Sequence, residues 1–220
     1  MILYGISEKT KVLSENQKRE LNKLCIINPE TMPPKNPLFN ALSEVIRKKG
    51  FPGTTVESIA DEMGLAKSSL YTYFSNKDEL IVTLVENELT YLTHIVGQYV
   101  KVAHSIEEDG YVMMRTTLEY YRLRPSFVSV AGWLGMRGSL VPEQLFDKLG
   151  IDMTKFSEQK KNKADFPMTN EEFYEWMNML VTVVFFQLQT NGLSVDDAID
   201  AITKYYTYIQ KGVLNNEQKK

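Results

Sequence analysis

Apolar residues recur with a period of about 3.6 along most of this chain, and that period restricts the folds open to it. A 3.6-residue period places apolar side chains on one face of an α-helix, whereas a half-buried strand needs a period of two. Only 12 glycines and 8 prolines occur in 220 residues, and they stand between the periodic stretches. We therefore predict an all-α protein.

Residues 1–37 are predicted to form an N-terminal extension. Residues 14–25 have the pattern of a short helix, and four prolines follow between positions 28 and 37. Proline lacks the amide donor that a helix interior needs, and it disfavours helical conformation in the residue before it. The extension is therefore predicted to end in a stiff linker.

Two helices separated by a turn are predicted next. An apolar stripe predicts the first, which ends near Gly50; its members are Leu38, Phe39, Leu42, Val45 and Ile46. The second begins at Thr54 and Thr55, because Thr54 with Glu57 three residues on matches a capping box. It ends at a turn at Gly64, and its predicted buried face consists of Val56, Ile59, Ala60 and Met63.

The remaining helices are predicted from the same period and from capping pairs. A short helix at 67–74 precedes a long one that begins at the pair Ser75 and Asp78 and runs to Val102. Further helices are predicted at 107–124, 126–138, 142–149, 170–190 and 195–213, with an exposed loop at 152–167 and a frayed tail at 214–220. The last two helices begin at capping pairs, Thr169 with Glu172 and Ser194 with Asp197.

Residues 54–74 have the residue pattern of a helix-turn-helix corner. Ala60 is small enough for two helices to approach closely, and Gly64 can adopt the left-handed conformation of a tight turn. Leu65 is predicted to fill the corner from inside. On the second helix of the corner, Leu70 and Phe74 define the buried face.

Hydroxyl groups dominate the opposite face of that second helix. Ser68 and Thr72 point away from the predicted core, and Ser69 and Tyr71 flank them. An ordinary surface helix more often carries Glu, Lys and Arg. Hydroxyl groups donate to phosphates and meet base edges in a major groove about 12 Å wide, so this face is predicted to contact DNA.

The charge balance limits how such contact could work. The chain has 25 Lys+Arg against 28 Asp+Glu, which argues against a histone-like or polybasic protein. Five basic residues nevertheless lie near the corner, namely Arg47, Lys48, Lys49, Lys67 and Lys77, against six acidic ones between positions 36 and 79. DNA affinity is therefore expected to depend on charge placement and helix N-termini.

Residues 38–85 resemble the TetR family of bacterial transcriptional regulators. The motifs that carry the resemblance are Lys48-Lys49-Gly50-Phe51, Thr54-Thr55-Val56, Ile59-Ala60, Gly64-Leu65, Lys67, Leu70-Tyr71, Tyr73-Phe74 and Lys77-Asp78-Glu79-Leu80. The resemblance implies that Thr54 and Thr55 meet DNA phosphates and that Lys77 touches the DNA backbone. It also implies a recognition-helix surface made of Lys67, Ser68, Ser69, Tyr71, Thr72 and Tyr73.

Two features depart from the family pattern. Ala66 stands where the family often has a Ser or Thr that caps the recognition helix, and loss of such a cap costs about 1 kcal/mol in typical hosts. The 37-residue extension is longer than the usual short arm. Whether it packs on the body of the protein or reaches DNA is left open by the sequence.

Beyond about residue 90 the resemblance implies a helical domain that binds a small effector and dimerises through its last two long helices. The apolar residues there exceed what one monomer face needs; they are Phe173, Met177, Leu180, Val181, Val184 and Leu188, then Val195, Ala198, Ile199, Ile202, Tyr205, Tyr206 and Ile209. We expect a homodimer through 170–190 and 195–213. The alternative is that both helices are simply core.

Aromatic residues and methionines cluster between positions 111 and 146. Such side chains line adaptable apolar pockets, although they also suit a core. The candidate residues for a largely apolar effector are Tyr111, Met114, Tyr121, Trp133, Met136 and Trp176. Arg115, Glu119 and Arg122 share one helical face, which we interpret as a solvated ion-pair row in preference to an anion anchor in the pocket.

No group of residues suggests catalysis, a metal or a cofactor. His94 and His104 are separated by about 15 Å along a helix, and Cys25 has no ligand partner near it. We expect no enzyme. The most apolar stretch, 177–188, is too interrupted to span a membrane, the N-terminus lacks a secretory signal, and a single cysteine suits a reducing cytosol.

The sequence therefore predicts a cytoplasmic, homodimeric TetR-like repressor, without a membrane partner. A three-helix helix-turn-helix DNA-binding domain at 38–82 precedes a helical ligand-binding and dimerisation domain at 83–213. An effector is expected to release the protein from a palindromic operator in double-stranded DNA. An activator is a variant within this class. The alternative is an all-α ligand-binding or carrier protein that uses the helix-turn-helix only as a structural corner.

Overall fold

The computed structural model describes residues 12–136 and 194–211, and every regular element in those ranges is helical, as predicted. The α-helices are α1 (Glu15–Leu24), α2 (Pro37–Lys49), α3 (Val56–Glu62), α4 (Lys67–Tyr71), α5 (Lys77–Val100), α6 (Ile106–Leu123), α7 (Pro125–Met136) and α8 (Val195–Lys211). A single 3₁₀ turn, Pro29–Thr31, lies in the proline-rich linker. None of these described helices is both long and apolar enough to cross a membrane.

The described chain divides into two compact units. One contains residues 12–28, 94–122 and 194–211, and the other contains residues 29–93 and 123–136. The division falls inside α5. The first unit therefore holds α1, most of α6 and α8, and the second holds α2, α3, α4 and α7.

In the first unit, α1 is a structural element and not a loose arm. Its N-terminus is closed by a capping box in which Ser14 and Gln17 satisfy each other's backbone N–H groups. The ammonium group of Lys18 is buried and donates to the Thr207 hydroxyl of α8 at 2.7 Å. The extension also buries four apolar side chains, Leu13, Leu21, Cys25 and Ile27. The described residues 13–27 of the extension thus pack into the first unit.

Tyr111 of α6 connects the three helices of this unit. Its hydroxyl donates to Asn22 of α1 at 3.0 Å and lies 3.1 Å from the Thr203 hydroxyl of α8. Its ring meets Tyr206 of α8 edge to face, with centroids 5.7 Å apart. The Tyr206 hydroxyl in turn donates to the backbone carbonyl of Glu107. Polar and aromatic contacts therefore join α1, α6 and α8 around one buried tyrosine.

In the second unit, α2 packs against both α3 and α7. Phe39 of α2 meets Phe127 of α7 edge to face, with ring centroids 5.8 Å apart. The apolar faces predicted from the 3.6 period are largely buried here; the fully buried members are Phe39, Leu42, Val45, Val56, Ile59, Ala60, Leu70, Leu80, Ile81, Leu84 and Val85. This core fixes the corner made by α3 and α4.

A buried ion pair closes the same unit near the start of α7. Arg124 lies 2.9 Å from the Glu88 carboxylate of α5, and both side chains are only 5% exposed. The Arg124 guanidinium also donates to the backbone carbonyl of Pro33 in the linker. One cation thus joins the linker, α5 and the start of α7.

Two predicted capping pairs are wrong by one residue. The N-cap of α3 is Thr55, paired with Ser58, and not Thr54 with Glu57. The start of α5 is capped by Asn76, whose side chain accepts from the Glu79 backbone N–H at 2.9 Å, and not by Ser75. At both sites two adjacent polar residues could serve as the cap, and the second of them accepts the backbone N–H.

The polar row on α6 is also different from the prediction. Arg115 and Glu119 form an ion pair at 3.3 Å, and Arg122 joins Glu119 at 2.5 Å. The row is not solvated, however, because residues 111–120 are all buried and α6 has no solvent face along this stretch. Only Arg122 reaches the surface, with 43% of its side chain exposed.

Helix ends agree with the sequence to within a few residues. The helix at 67–74 is shorter than predicted, ending at Tyr71, and α5 ends at Val100 instead of Val102. The Ser194–Asp197 cap of α8 is confirmed, since each residue satisfies the backbone N–H of the other. The predicted helices at 142–149 and 170–190, the loop at 152–167 and the tail at 214–220 lie outside the described residues.

Candidate nucleic-acid interface

The corner between α3 and α4 is closed by a left-handed glycine. Gly64 has φ +67°, and its N–H donates to the Asp61 carbonyl at 3.1 Å. The next N–H, of Leu65, reaches back to the Ala60 carbonyl at 2.9 Å. This pair of bonds is the Schellman motif that ends many helices. The Leu65 side chain is 41% exposed, so the prediction that it fills the corner from inside is wrong. Leu65 contributes to the corner through its backbone N–H, which donates to the Ala60 carbonyl.

The start of α3 is fixed by neighbouring threonines with different roles. Thr55 is exposed, and its hydroxyl accepts the Ser58 backbone N–H at 3.1 Å. Thr54 is only 1% exposed, and its hydroxyl donates to the Gly50 carbonyl at 2.9 Å. Thr54 therefore anchors the turn that leads into α3, while Thr55 stands at the surface.

The short helix α4 presents the hydroxyl-rich face that the sequence predicts. Leu70 is buried and attaches α4 to the core, and Phe74 is half-buried. The remaining predicted contact residues of this segment are all exposed; they are Lys67, Ser68, Ser69, Tyr71, Thr72 and Tyr73. Tyr73 is the most exposed of the large side chains, at 74%.

α4 lacks a side-chain cap at its N-terminus, and the threonine at its C-terminus makes a hydrogen bond back into the helix. Its N-cap, Ala66, makes no side-chain hydrogen bond, as predicted from the alanine at this position. The Thr72 hydroxyl donates back to the Ser68 carbonyl at 3.0 Å, so this hydroxyl is occupied in the free protein. The N-terminal N–H groups of α4 remain without a side-chain cap, and such groups are suited to phosphate oxygens.

Tyr71 is tied to the preceding helix through its hydroxyl. The phenol donates to the carboxylate of Glu57, near the start of α3. This hydrogen bond holds the pKa of Glu57 below its usual range, with a smaller contribution from the charge of Lys67. The same bond raises the pKa of the Tyr71 phenol. At neutral pH the pair is therefore a carboxylate and a neutral phenol.

Lys77 is less accessible than the sequence suggests. Its ammonium group donates to the Phe51 carbonyl at 3.2 Å and lies 4.3 Å from the centre of the Phe51 ring. The side chain is half-buried, at the start of α5. These contacts fix the position of the charge beside the corner, which lowers the entropic cost of a later contact with phosphate.

Acidic partners reduce the positive charge of α2. Lys48 pairs with Glu62 of α3 at 2.7 Å, and Arg47 pairs with Glu44 at 2.7 Å. Lys49 and Lys67 are exposed and take part in neither pair. The positive charge available near α4 is thus carried by a few fixed positions and not by a broad basic surface.

Comparison with known proteins identifies the segment that holds the corner. The family model described as bacterial regulatory proteins, tetR family, matches residues 38–84, which cover α2, α3, α4 and the first turns of α5. This segment belongs to the TetR family of bacterial regulatory proteins. The matched segment coincides with the corner and the α2 helix that supports it.

Individual curated relatives match over 55 to 75 residues of the chain. YvdT of Bacillus subtilis, an uncharacterised helix-turn-helix transcriptional regulator, is 37% identical over 62 residues, which are 28% of this chain and 32% of that protein. The fatty acid metabolism regulator protein of Bacillus subtilis is 29% identical over 72 residues, 33% of this chain and 32% of its own length. The aligned segments span only 24% to 32% of the curated relatives.

A solved structure extends the likeness beyond the matched segment. The fatty acid degradation regulator FadR from Bacillus halodurans superposes with a TM-score of 0.64 at 14% sequence identity, covering 80% of this chain and 97% of that one. At this identity the superposition shows a shared fold. The shared fold therefore includes helices outside residues 38–84.

The interactions that hold the TetR corner together are not visible in the sequence. The sequence pattern places Glu57 in a helix cap, whereas its carboxylate holds Tyr71, 14 residues away. Phe51 stands out in the sequence only as part of a motif, whereas its ring and carbonyl hold Lys77. Acid–hydroxyl and cation–aromatic pairs of this kind leave no periodic signal, because their members come from different elements.

The candidate effector residues are only partly described. Tyr111 and Met114 lie in the interior of the first unit, with no exposed surface, and Tyr121 is partly exposed. Burial raises the pKa of Tyr121 to about 12. The side chains of Trp133 and Met136, and the whole of Trp176, lie outside the described residues.

The predicted dimer helices are likewise described in part. On α8, Ala198, Ile202 and Tyr206 are buried within the single chain, whereas Ile199 and Tyr205 keep some exposure. One face of α8 thus belongs to the core of its own unit. The second predicted dimer helix, 170–190, is outside the described residues.

Proposed function

We propose that this chain is a homodimeric TetR-family repressor that binds a palindromic operator and leaves it when a small, largely apolar effector binds. The observation that supports DNA binding best is the exposed surface of α4 and the two residues after it, where six predicted contact residues lie side by side. A corner that served only as structure would have no need of a helix with hydroxyl groups along its solvent face. The functional domains proposed are 38–82 for DNA and 83–213 for the effector and the partner subunit.

The contacts are assigned by exposure. Ser68, Ser69, Tyr71, Thr72 and Tyr73 would enter the major groove, with Lys67 at the edge of α4. Thr55, which is exposed, is the phosphate contact proposed at the start of α3. Thr54 is a positioning residue, because its hydroxyl is spent on the Gly50 carbonyl. Lys77 would meet the backbone of the DNA from its fixed position beside Phe51.

Dimerisation through 170–190 and 195–213 would place two recognition helices on one face of the duplex. Successive major grooves lie about 34–36 Å apart, so a two-fold symmetric dimer requires an operator with two-fold symmetry. The partly exposed residues of α8, Ile199 and Tyr205, are available to such an interface. They flank the face of α8 that packs within its own chain, which holds Ala198, Ile202 and Tyr206.

The effector is proposed to act on the separation of the two recognition helices. A ligand that enters between the middle helices would displace α5, the helix that follows α4. Operator affinity then falls only as far as the effector prefers the conformation that does not fit DNA. The residues proposed to line this site are Tyr111, Met114, Tyr121, Trp133, Met136 and Trp176.

Binding to the DNA upstream of the chain's own gene tests the proposal. A labelled duplex of that region should bind tightly and lose affinity steeply as salt rises, whereas a scrambled duplex of equal length should bind much more weakly. Equal, weak binding of both duplexes would favour the rival, a ligand-binding or carrier protein without a DNA target. We also propose that the protein is not an enzyme, and turnover of a bound small molecule would contradict this. A cytoplasmic location is proposed because the DNA target lies there.

A further inference from the structure

One hydrogen bond between side chains joins α3 to α4 on the surface proposed to face DNA. The Tyr71 phenol donates to the Glu57 carboxylate. Tyr71 is 45% exposed and Glu57 is partly exposed, so the bond lies at the surface and not in the core. A surface tyrosine usually gives its hydroxyl to water, and this one is held by a charged acceptor.

The bond fixes the direction of an aromatic ring on a weakly held helix. α4 has only five residues and no side-chain cap at its N-terminus. Leu70 attaches its buried side, and the Glu57 carboxylate restrains the next residue, Tyr71, from the outside. Since its proton is already donated to Glu57, the Tyr71 hydroxyl cannot donate to a phosphate or a base acceptor, and the apolar ring is the larger part of the side chain left to approach a ligand.

We propose that Glu57 is a positioning residue that turns the Tyr71 ring toward a thymine methyl group in the operator and thereby contributes to sequence specificity. This inference rests on the proposed DNA-binding function. Among the groups in a major groove, the 5-methyl of thymine is the one that an apolar side chain recognises. Because its hydroxyl already donates to Glu57, Tyr71 is better suited to this apolar contact than to donating a hydrogen bond to a base edge.

The charge of Glu57 gives the pair a second effect. Its carboxylate is ionised at neutral pH, as glutamates ordinarily are, and the Tyr71 hydrogen bond holds its pKa lower still. An anion at this surface opposes any close approach of phosphates that specific contacts do not compensate. Glu57 therefore weakens nonspecific binding at the same time as it orients Tyr71.

A titration of the free protein tests the pair without any DNA. Tyrosines labelled with ¹³C at the hydroxyl-bearing carbon are followed by NMR as pH rises, and the Tyr71 signal is identified by its absence in Tyr71→Phe. Tyr71 should lose its proton at higher pH in the wild type than in Glu57→Ala. Asp61→Ala is the matched control, since it removes an exposed carboxylate of the same helix that does not touch Tyr71; its Tyr71 should titrate as in the wild type.

A second measurement tests specificity. The probe is a duplex that the wild-type protein enriches from a randomised library, compared with a scrambled duplex at the same salt concentration. Replacing single thymines by uracil deletes one methyl at a time. Uracil at one position per half-site should weaken wild-type binding about tenfold, a loss within the usual range for a specific base contact, and should have little effect on Tyr71→Ala.

The Glu57 variants separate orientation from charge. Glu57→Ala should show no uracil effect, and it should bind scrambled DNA more tightly than the wild type does. Glu57→Gln keeps a hydrogen-bond acceptor and should retain the uracil effect while binding scrambled DNA more tightly. Asp61→Ala, which leaves the pair intact, should keep the uracil effect.

The outcomes distinguish the inference from the function on which it rests. If no sequence is enriched, the proposed DNA-binding function fails, whatever the titration shows. If a sequence is enriched but no uracil substitution matters, or Glu57→Ala keeps the wild-type response, the positioning role is overturned. The positioning role is overturned as well if Tyr71 titrates identically in the wild type and in Glu57→Ala.

Discussion

At the scale of single residues, the corner depends on backbone conformation and on hydroxyl groups that are already engaged. Gly64 supplies a positive φ, Thr54 ties the preceding turn to Gly50, and Tyr71 is held by Glu57. Each residue fixes a backbone or side-chain conformation in the protein without a bound ligand. Positions of this kind are sensitive to small substitutions that leave the overall charge unchanged.

Gly64→Ala is expected to destabilise the protein by about 1–2 kcal/mol, the usual cost of left-handed backbone for a residue with a Cβ atom. An added Cβ would meet nothing within 4 Å, so the cost is conformational and not steric. Gly64→Asn should cost less, because Asn adopts this conformation several times more often than most residues. Urea denaturation of both variants measures the difference, and equal losses would contradict the conformational explanation.

At the scale of elements, the helices follow the apolar period, whereas their connections follow contacts between distant residues. The stripes of α2, α3 and α5 are visible in the sequence because burial repeats every turn. The caps of α3 and α5 are displaced by one residue from their predicted positions, since neighbouring polar residues compete for the same role. The buried state of α6 could not be predicted, because it depends on packing against elements far away in sequence.

The extension illustrates this dependence on distant contacts. Its helix is predictable from residues 14–25, and its capping box is formed by neighbours in sequence. Its docking depends on Lys18 and Thr207, which are separated by 189 positions, and on Asn22 and Tyr111, separated by 89. Sequence spacing carries no information about such pairs.

Leu21→Ala is expected to reduce the free energy of unfolding by about 2–5 kcal/mol, as large-to-small changes in a core do. Leu21 is 6% exposed on the inner side of α1. Leu24→Ala is the matched control on the same helix, where the leucine is 53% exposed, and its effect should stay within about 0.5 kcal/mol. Similar small losses for both variants in thermal or urea unfolding would mean that α1 is not part of the core.

Glu88→Ala is expected to cost about 3–5 kcal/mol, because it leaves the buried guanidinium of Arg124 without its carboxylate. The double variant Glu88→Leu with Arg124→Met removes both charges and should recover much of that loss. A remaining deficit is expected, since the Pro33 carbonyl then loses the Arg124 donor. A double variant no more stable than Glu88→Ala, measured by urea denaturation, would contradict this explanation of the ion pair.

At the scale of the whole molecule, the small negative charge of the chain limits how the proposed DNA binding could be achieved. The formal net charge is −3, and Arg47 and Lys48 near the corner are paired with acids. Phosphate attraction alone would therefore give one recognition helix little affinity. Strong binding to the proposed operator would require two linked recognition helices, because linkage turns the second contact into an intramolecular event.

Operator spacing tests this requirement directly. Inserting five base pairs between the half-sites of an enriched palindromic duplex rotates one half-site to the opposite face of the DNA, where a two-fold symmetric dimer cannot reach it. Affinity should fall on the order of 10²-fold or more, to the level of a single half-site, because the gain from linkage is lost. The change is measured by titrating the protein at fixed salt against the original duplex, the lengthened duplex and a duplex with one half-site scrambled. Equal affinities for the last two would be expected, whereas a lengthened duplex that binds as well as the original would show that each subunit binds DNA on its own.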